Sequence, residues 1–113
     1  LGAFATDLGP RLEEVCLVTM TEFGRTVRQN GNGGTDHGTA GVMTVLGGGV
    51  RGGRVIGRYR GVHRAELFEG RDLKVEVDYR DVLAEVLRRQ LGLRELAAVF
   101  PRHTPSRVGL FEA

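Results

Sequence analysis

The spacing of apolar residues near the start of the chain is that of a helix. Phe4, Leu8 and Leu12 lie four positions apart, which places them on one face of a helix over residues 3–14. The Gly9-Pro10 step weakens the middle of this segment or splits it.

The apolar pattern then changes to that of a strand. Residues 15–20 read VCLVTM, an almost uninterrupted apolar run rich in β-branched residues. Such a run predicts a strand covered on both faces, as in a parallel sheet. A helix packed before a buried strand favours an α/β layer fold, whose ligand sites lie beyond the carboxyl ends of its strands.

Glycine rather than any hydrophobic period dominates the middle of the chain. Residues 24–41 show no apolar periodicity, and the stretch RQNGNGGTDHGTAG within them predicts a long loop. Structureless loops of this length are usually functional or disordered. Beyond it, residues 42–46 predict a short apolar strand closed by three glycines, and Val55-Ile56 predicts another, followed by a loop over residues 61–70.

The clearest helix of the sequence lies at residues 78–91. Asp78 is the expected N-cap of this helix, and Gly92 follows it as a C′ residue. Its apolar stripe consists of Tyr79, Val82, Leu83, Val86, Leu87 and Leu91. The tail from Leu96 onward is expected to pack along the surface.

Charge is distributed unevenly along the chain. Lys and Arg number 16 against 14 Asp and Glu, and all but Lys74 of these bases are arginines. The net charge of +2 combines −3 over residues 1–23, +6 over residues 24–64 and −1 over residues 65–113. Since 13 of the 18 glycines lie between Gly24 and Gly61, the basic region is also the glycine-rich one.

Composition excludes several classes of protein. A chain of 113 residues and 12.3 kDa is long enough for one small domain. Its mean hydropathy is −0.16, and no apolar run approaches the roughly 20 residues of a membrane span. Cys16 is the single cysteine and is expected in the core, so an internal disulfide is excluded. The first residues carry no secretory signal pattern, and the chain starts as if cut from something longer.

Two clusters flanking the long loop could carry chemistry. TEFGRT follows the predicted strand and contains Glu22 and Arg25, and GTDHG contains Asp36 and His37. Two carboxylates and an imidazole suit a divalent metal such as Zn²⁺ or Mn²⁺. Arg25 adds a planar cation able to hold an oxyanion with two hydrogen bonds. By composition alone, the ordinary alternative is that Asp36 forms a turn and His37 is solvated.

The order of these motifs resembles a known family. The succession VCLVTM, TEFGRT, NGNGGTDHG, LGGGVRGGRVIG and DYRDVLAEVL resembles the C-terminal part of the bacterial family known as domain of unknown function 1501, over residues 12–101. That family is grouped with the alkaline phosphatases and sulfatases. The resemblance implies a partial three-layer α/β/α alkaline-phosphatase-like sheet. Residues 1–113 are then the C-terminal portion of a larger domain, and residues 24–41 are its site loop.

The resemblance also implies a metal-dependent hydrolase of phosphate or sulfate esters, with Zn, Mn or Ca as the metal. Relatives end a strand in a Ser/Thr-Asp-His-Gly turn that binds metal, and this turn has two placements here. Position after the strand selects residues 21–24, with Phe23 where the histidine is expected, whereas residue identity selects residues 35–38. We therefore expect Asp36 and His37 as ligands, Glu22 as a further candidate, and Arg25 as the residue that steadies negative charge.

The resemblance leaves this site incomplete. The family's nucleophile and first acidic ligands belong to an N-terminal region outside these residues, so the fragment alone is not expected to be active. His63 and His103 have no motif support as a third ligand, and both are expected to be solvated at the surface. The implied partners are the missing N-terminal part and an anionic small-molecule or polymer ester. Export is a further implication of the resemblance.

Two other functions compete with the hydrolase. The arginines of residues 51–64 could line a path for an anionic substrate or nucleic acid, but a solvated charged surface or contacts to the missing N-terminal part are the favoured interpretations. No recognition motif or set of stacking aromatics accompanies them, so nucleic acid is not expected. A non-catalytic binding or structural module that retains the fold and uses the loop for a partner or glycan is the main alternative.

Overall fold

A computed structural model describes residues 1–112 as a small mixed α/β protein with two helices and two small antiparallel sheets. The elements are α1 (Gly2–Leu8), β1 (Cys16–Thr19), β2 (Gly24–Arg25), β3 (His37–Gly38), β4 (Thr44–Gly47) and α2 (Tyr79–Leu91), with 3₁₀ helices at Gly9–Glu14 and Arg64–Glu66. The chain forms two compact units: residues 1–19, 44–55 and 78 onward make the first, and residues 20–43 and 56–77 make the second.

The predicted N-terminal helix is split where glycine and proline interrupt it. α1 ends at Leu8, and Gly9 adopts φ 52°, a left-handed conformation that glycine reaches without steric cost. Pro10 then lies near the start of the 3₁₀ helix Gly9–Glu14, where its missing N–H costs no helical bond.

β1 forms within the predicted range, but its sheet differs from the expected one. β1 pairs antiparallel with β4, with Cys16 opposite Gly47 and Thr19 opposite Thr44. All four β1 residues are half-buried. The expectation of a parallel strand buried on both faces is therefore wrong for the described residues. A short apolar run is compatible with either orientation, since only the partner strand decides it.

α2 confirms the strongest helix prediction. The Asp78 carboxylate accepts a hydrogen bond from the Arg80 backbone N–H at 2.8 Å, as an N-cap does. Gly92 adopts φ 63° and donates its N–H to the Leu87 carbonyl, which ends the helix in the αL conformation.

The core of the first unit lies between α2 and the C-terminal tail. Ala84 of α2 is fully buried and packs with Leu96 and Phe100 from the tail. Leu110 and Phe111 are also buried. The tail is therefore a core element, contrary to the expectation that it lies along the surface.

Polar contacts also tie the tail to α2. Glu85 accepts hydrogen bonds from three consecutive backbone N–H groups of the tail, at residues 108, 109 and 110. His103 lies 2.7 Å from Asp81, and its side chain is only 14% exposed. The prediction of a solvated His103 is wrong because Asp81 gives the imidazole a partner, whereas His63 is exposed as expected.

The second unit contains the glycine-rich loop, which is more ordered than its sequence indicates. β2 and β3 pair antiparallel within residues 24–41, so this range is not a structureless loop. A turn at residues 68–72 packs against it, because the Thr39 hydroxyl donates to the Asp72 carboxylate at 2.7 Å.

Three smaller expectations have mixed outcomes. Val55-Ile56 is not a strand, and Val55 is 94% exposed. Cys16 is half-buried, and its partial burial raises the pKa of the thiol, which is consistent with a packing role. None of the helices in residues 1–112 has the length and apolar character needed to cross a membrane.

Candidate functional site

The pairing of β2 with β3 places Arg25 opposite His37. The neighbouring pair is Gly24 opposite Gly38, and both positions require glycine. A Cβ on Gly24 would lie 1.7 Å from the Ala40 carbonyl oxygen, and a Cβ on Gly38 would lie 2.6 Å from the Arg25 carbonyl carbon. The close backbone approach that brings Arg25 to His37 therefore depends on two residues without side chains.

Phe23 organises the side chains on one face of this pair. Its ring is stacked on the His37 imidazole, with centroids 3.7 Å apart and an interplanar angle of 17°. The Arg25 guanidinium carbon lies 5.6 Å from the centre of the same ring, within reach of a cation–π attraction. Phe23 and Arg25 are two residues apart, so an extended backbone presents both on the same face.

Arg25 is also tied to the loop before β3. Its Nη1 donates a hydrogen bond to the Thr35 carbonyl at 2.8 Å. The guanidinium has five N–H donors, so this bond orients the group without using its full capacity. Arg25 and His37 are both exposed, so solvent and ligands can reach them.

Asp36 makes a different set of contacts from its neighbour His37. Its backbone N–H donates to the Thr26 hydroxyl at 3.1 Å, and its carbonyl accepts from the Thr26 N–H at 3.1 Å. Its carboxylate accepts from the Asn30 side-chain amide at 2.9 Å. Successive strand residues point to opposite faces, so Asp36 holds the loop while His37 stacks on Phe23.

Asn30 is the centre of the turn that holds Asp36. Its side-chain oxygen accepts from the backbone N–H groups of Asn32 at 2.9 Å and Gly34 at 3.1 Å. The sequence predicts only a loop for this stretch. The signal available was the Asn-Gly pattern itself, because asparagine side chains commonly bond the backbone two residues on.

Glu22 lies apart from the loop contacts. It is exposed and, with Thr21, Phe23 and Arg25, lines an open depression of about 610 Å³. Within residues 1–112, no three His, Cys, Asp or Glu side chains come close enough to hold a metal ion. Glu22, Asp36 and His37 therefore do not make a complete metal site by themselves.

Asp72 supports β3 from the turn at residues 68–72, a role that sequence reasoning missed. It is only 6% exposed, and hydrogen bonds from Thr39 and Arg71 lower the pKa of its carboxyl group. Arg71 in turn donates from Nη2 to the His37 carbonyl at 3.2 Å. No local pattern marks Asp72, since Thr39, which donates to its carboxylate, lies 33 positions earlier in the chain.

The two sequence placements expected for a metal-binding turn, residues 21–24 and residues 35–38, come together in the structure. The first placement has Phe23 at the histidine position and the second has His37, and these two rings are stacked on each other. Both placements therefore lead to the same surface, which consists of Phe23, Arg25 and His37 and is called the Arg25 face below.

Comparison with known proteins gives one family match. The family model described as "Protein of unknown function (DUF1501)" matches residues 1–100. The chain therefore belongs to this family, as the order of its motifs predicted. No curated protein matches the chain. No solved structure matches it either.

Proposed function

We propose that the chain is the C-terminal part of a metal-dependent phosphatase-like or sulfatase-like hydrolase that acts on an anionic ester. The larger domain has the three-layer α/β/α alkaline-phosphatase-like architecture in this proposal. The observation that carries it is the Arg25 face, where a guanidinium and an imidazole from paired strand positions both contact the Phe23 ring and the guanidinium borders an open depression.

The chemistry of these two side chains suits a tetrahedral anion. A guanidinium binds two oxygens of a phosphate or sulfate group in one plane, and it stays charged at all physiological pH values. The hydrogen bond from Nη1 to Thr35 fixes the direction of Arg25 while Nη2 and Nε can donate to an anion. Donors oriented before the ligand arrives stabilise charge that develops on it, which makes Arg25 the residue that steadies the transition state.

Packing against Phe23 restricts the orientation of the His37 imidazole before any ligand binds. Phe23 covers one face of the imidazole, so the ring has fewer orientations to lose when one of its nitrogens contacts a ligand. The edge of the ring, which carries the nitrogens, stays available because the stacked arrangement covers the face only. His37 can thus serve as a metal ligand or as a donor to the ester oxygen.

The metal requirement is met only with residues outside this chain. A divalent cation, Zn, Mn or Ca, supplies polarisation of the ester oxygen when bound. Because residues 1–112 contain no three-ligand group, His37 is one ligand among several. Asp36 and Glu22 are further candidates, and the nucleophile comes from the missing N-terminal part. Export of the protein to the periplasm or beyond is part of the same proposal, by family resemblance.

Turnover by the full-length protein tests the proposal. A panel of aryl phosphates and aryl sulfates is assayed with added Zn²⁺, Mn²⁺ or Ca²⁺. We expect turnover of at least one ester class that depends on the metal. Absence of turnover with every metal would contradict the hydrolase and favour a non-catalytic binding module.

Metal content tests the role of His37 separately. We expect His37→Ala to bind less metal than wild type, and His63→Ala to match wild type because His63 is exposed in another part of the chain. Equal metal content in wild type and His37→Ala would overturn the ligand assignment. The His63→Ala control shows whether loss of any histidine has the same effect.

A further inference from the structure

The glycine-rich turn contains two Asn-Gly steps that are chemically similar and structurally different. Asn30-Gly31 and Asn32-Gly33 are adjacent in the sequence. We propose that Asn32 is a site of spontaneous deamidation and that Asn30 is protected from the same reaction.

The reaction needs only the chain and water. The Gly33 backbone nitrogen attacks the side-chain carbonyl carbon of Asn32, forming a carbon–nitrogen bond and a five-membered succinimide. The side-chain nitrogen leaves as ammonia and takes up the proton that the Gly33 N–H loses. Water then opens the ring at either carbonyl, which yields aspartate or isoaspartate, and no oxidant or reductant takes part. A following glycine favours the attack because no Cβ hinders it.

The sequence alone does not separate the two asparagines, since glycine follows both. The structure separates them by their hydrogen bonds. Three bonds hold the Asn30 side chain: its amide donates to Asp36 at 2.9 Å, and its oxygen accepts from two backbone N–H groups at 2.9 and 3.1 Å. Turning this side chain toward the Gly31 nitrogen costs the hydrogen bonds that hold it.

Asn32 has no such restraint. It is exposed, and within residues 1–112 its side chain makes no hydrogen bond. The attacking Gly33 N–H does donate to the Asn30 carbonyl, but over 3.3 Å, the longest hydrogen bond of this turn. One weak bond must therefore open at Asn32, against three at Asn30.

The product changes the loop that carries Asp36. Conversion of Asn32 adds one negative charge, and an isoaspartate also inserts a methylene into the backbone after the N–H that Asn30 holds. Because Asn30 links this N–H to Asp36, the modification lies beside the proposed site. The deamidation proposal is independent of the hydrolase proposal, since it rests only on the hydrogen bonds of this turn.

Peptide mapping of the full-length protein during incubation at neutral and mildly alkaline pH tests the proposal. Mass spectrometry follows the replacement of the amide NH₂ by OH at each asparagine, and an isoaspartate-specific methyltransferase reports the isomer. In the folded protein we expect Asn32 to convert about tenfold faster than Asn30, which corresponds to about 1.4 kcal/mol of extra protection at Asn30. In urea we expect the two rates to become similar, since both asparagines precede glycine.

Two variants complete the test. Asn32→Gln is expected to abolish the fast conversion, because ring closure from the longer side chain is slow, and Asn30→Gln is expected to leave conversion at Asn32 in place or to speed it. Equal native rates at Asn30 and Asn32, or a faster rate at Asn30, would overturn the proposal. Conversion of Asn32 in urea but not in the folded protein would overturn it as well.

Discussion

Replacing Gly38 with alanine is expected to open β2 from β3, which moves His37 away from the other residues of the Arg25 face without unfolding the protein. The new Cβ would lie 2.6 Å from the Arg25 carbonyl carbon, 2.7 Å from its oxygen and 2.9 Å from the Thr26 nitrogen. All three are backbone atoms, so no flexible side chain can swing away. Gly38 has no left-handed φ, so the effect is one of space and not of backbone conformation.

Whether β2 and β3 separate depends on how the cost of overpacking compares with the few hydrogen bonds of their short pairing. Overpacking of this kind costs about 1–3 kcal/mol. A pairing of two residues per strand has only a few hydrogen bonds to oppose it, each worth about 0.5–1.5 kcal/mol net. Opening β2 from β3 is therefore the cheaper response, and it carries His37 away from Phe23 and Arg25.

Proton NMR of His37 measures this opening. Stacking on Phe23 shifts the imidazole protons upfield through the ring current, and we expect Gly38→Ala to lose that shift. Gly31→Ala is the matched control, because within residues 1–112 no heavy atom beyond its two chain neighbours lies within 4 Å of its added Cβ, and its φ lies outside the left-handed region. Retention of the upfield shift in Gly38→Ala, with amide exchange like that of wild type, would refute the steric reasoning.

Two further predictions concern the first unit. Glu85→Ala leaves three tail N–H groups without their acceptor, so we expect a loss of about 2–4 kcal/mol in urea unfolding, whereas Glu95→Ala at an exposed position should change little. A change below the error of the measurement in Glu85→Ala would show that the tail is not held this way. The Arg80 guanidinium lowers the pKa of Asp78 from 3.8 to about 2. Because the folded pKa is the lower one, this carboxylate stabilises the protein above about pH 4, and the contribution is lost as pH falls toward 2. Since both side chains are about one-third exposed, we expect only about 1 kcal/mol after solvent screening. Asp78→Asn keeps an N-cap oxygen and should remove this part of the acid dependence, and an unchanged acid profile would contradict the assignment.

Local rules account for the elements that the sequence predicted well. α2 begins directly after Asp78 and ends directly before Gly92, because capping depends on the side chain and the φ angle at those two positions. The break in the first helix likewise follows from Gly9-Pro10 alone. Neither feature depends on a contact with a residue far away in the sequence.

Non-local contacts account for what the sequence could not predict. The orientation of β1 depends on β4, which lies more than 20 residues further along. The contact between His103 and Asp81 joins positions 22 apart, and neither residue carries a local signal for it. β2 and β3 are two residues long, so no period can appear in them, and their glycines suggest a loop when their actual role is close approach.

Residue chemistry predicts the candidates for the site, and the structure adds how they are arranged. The chemistry of Arg25 and His37 marks both as candidates, but only the register of β2 and β3 places them opposite each other. A phenylalanine cannot bind metal, so its residue type gives Phe23 no predicted role, yet its ring contacts both side chains. Asp36 keeps its candidate role, and the structure adds that Asn30 holds it.

The rate of ester hydrolysis by full-length Arg25→Gln tests the central claim most directly. The measurement is kcat/KM for the aryl phosphate or aryl sulfate that the wild type turns over, with Arg28→Gln as the control at an exposed arginine of the same loop. If Arg25 steadies the charge on the ester, Arg25→Gln should lose about 10²–10³-fold in rate while Arg28→Gln stays near wild type. Equal rates for wild type and Arg25→Gln would contradict the account.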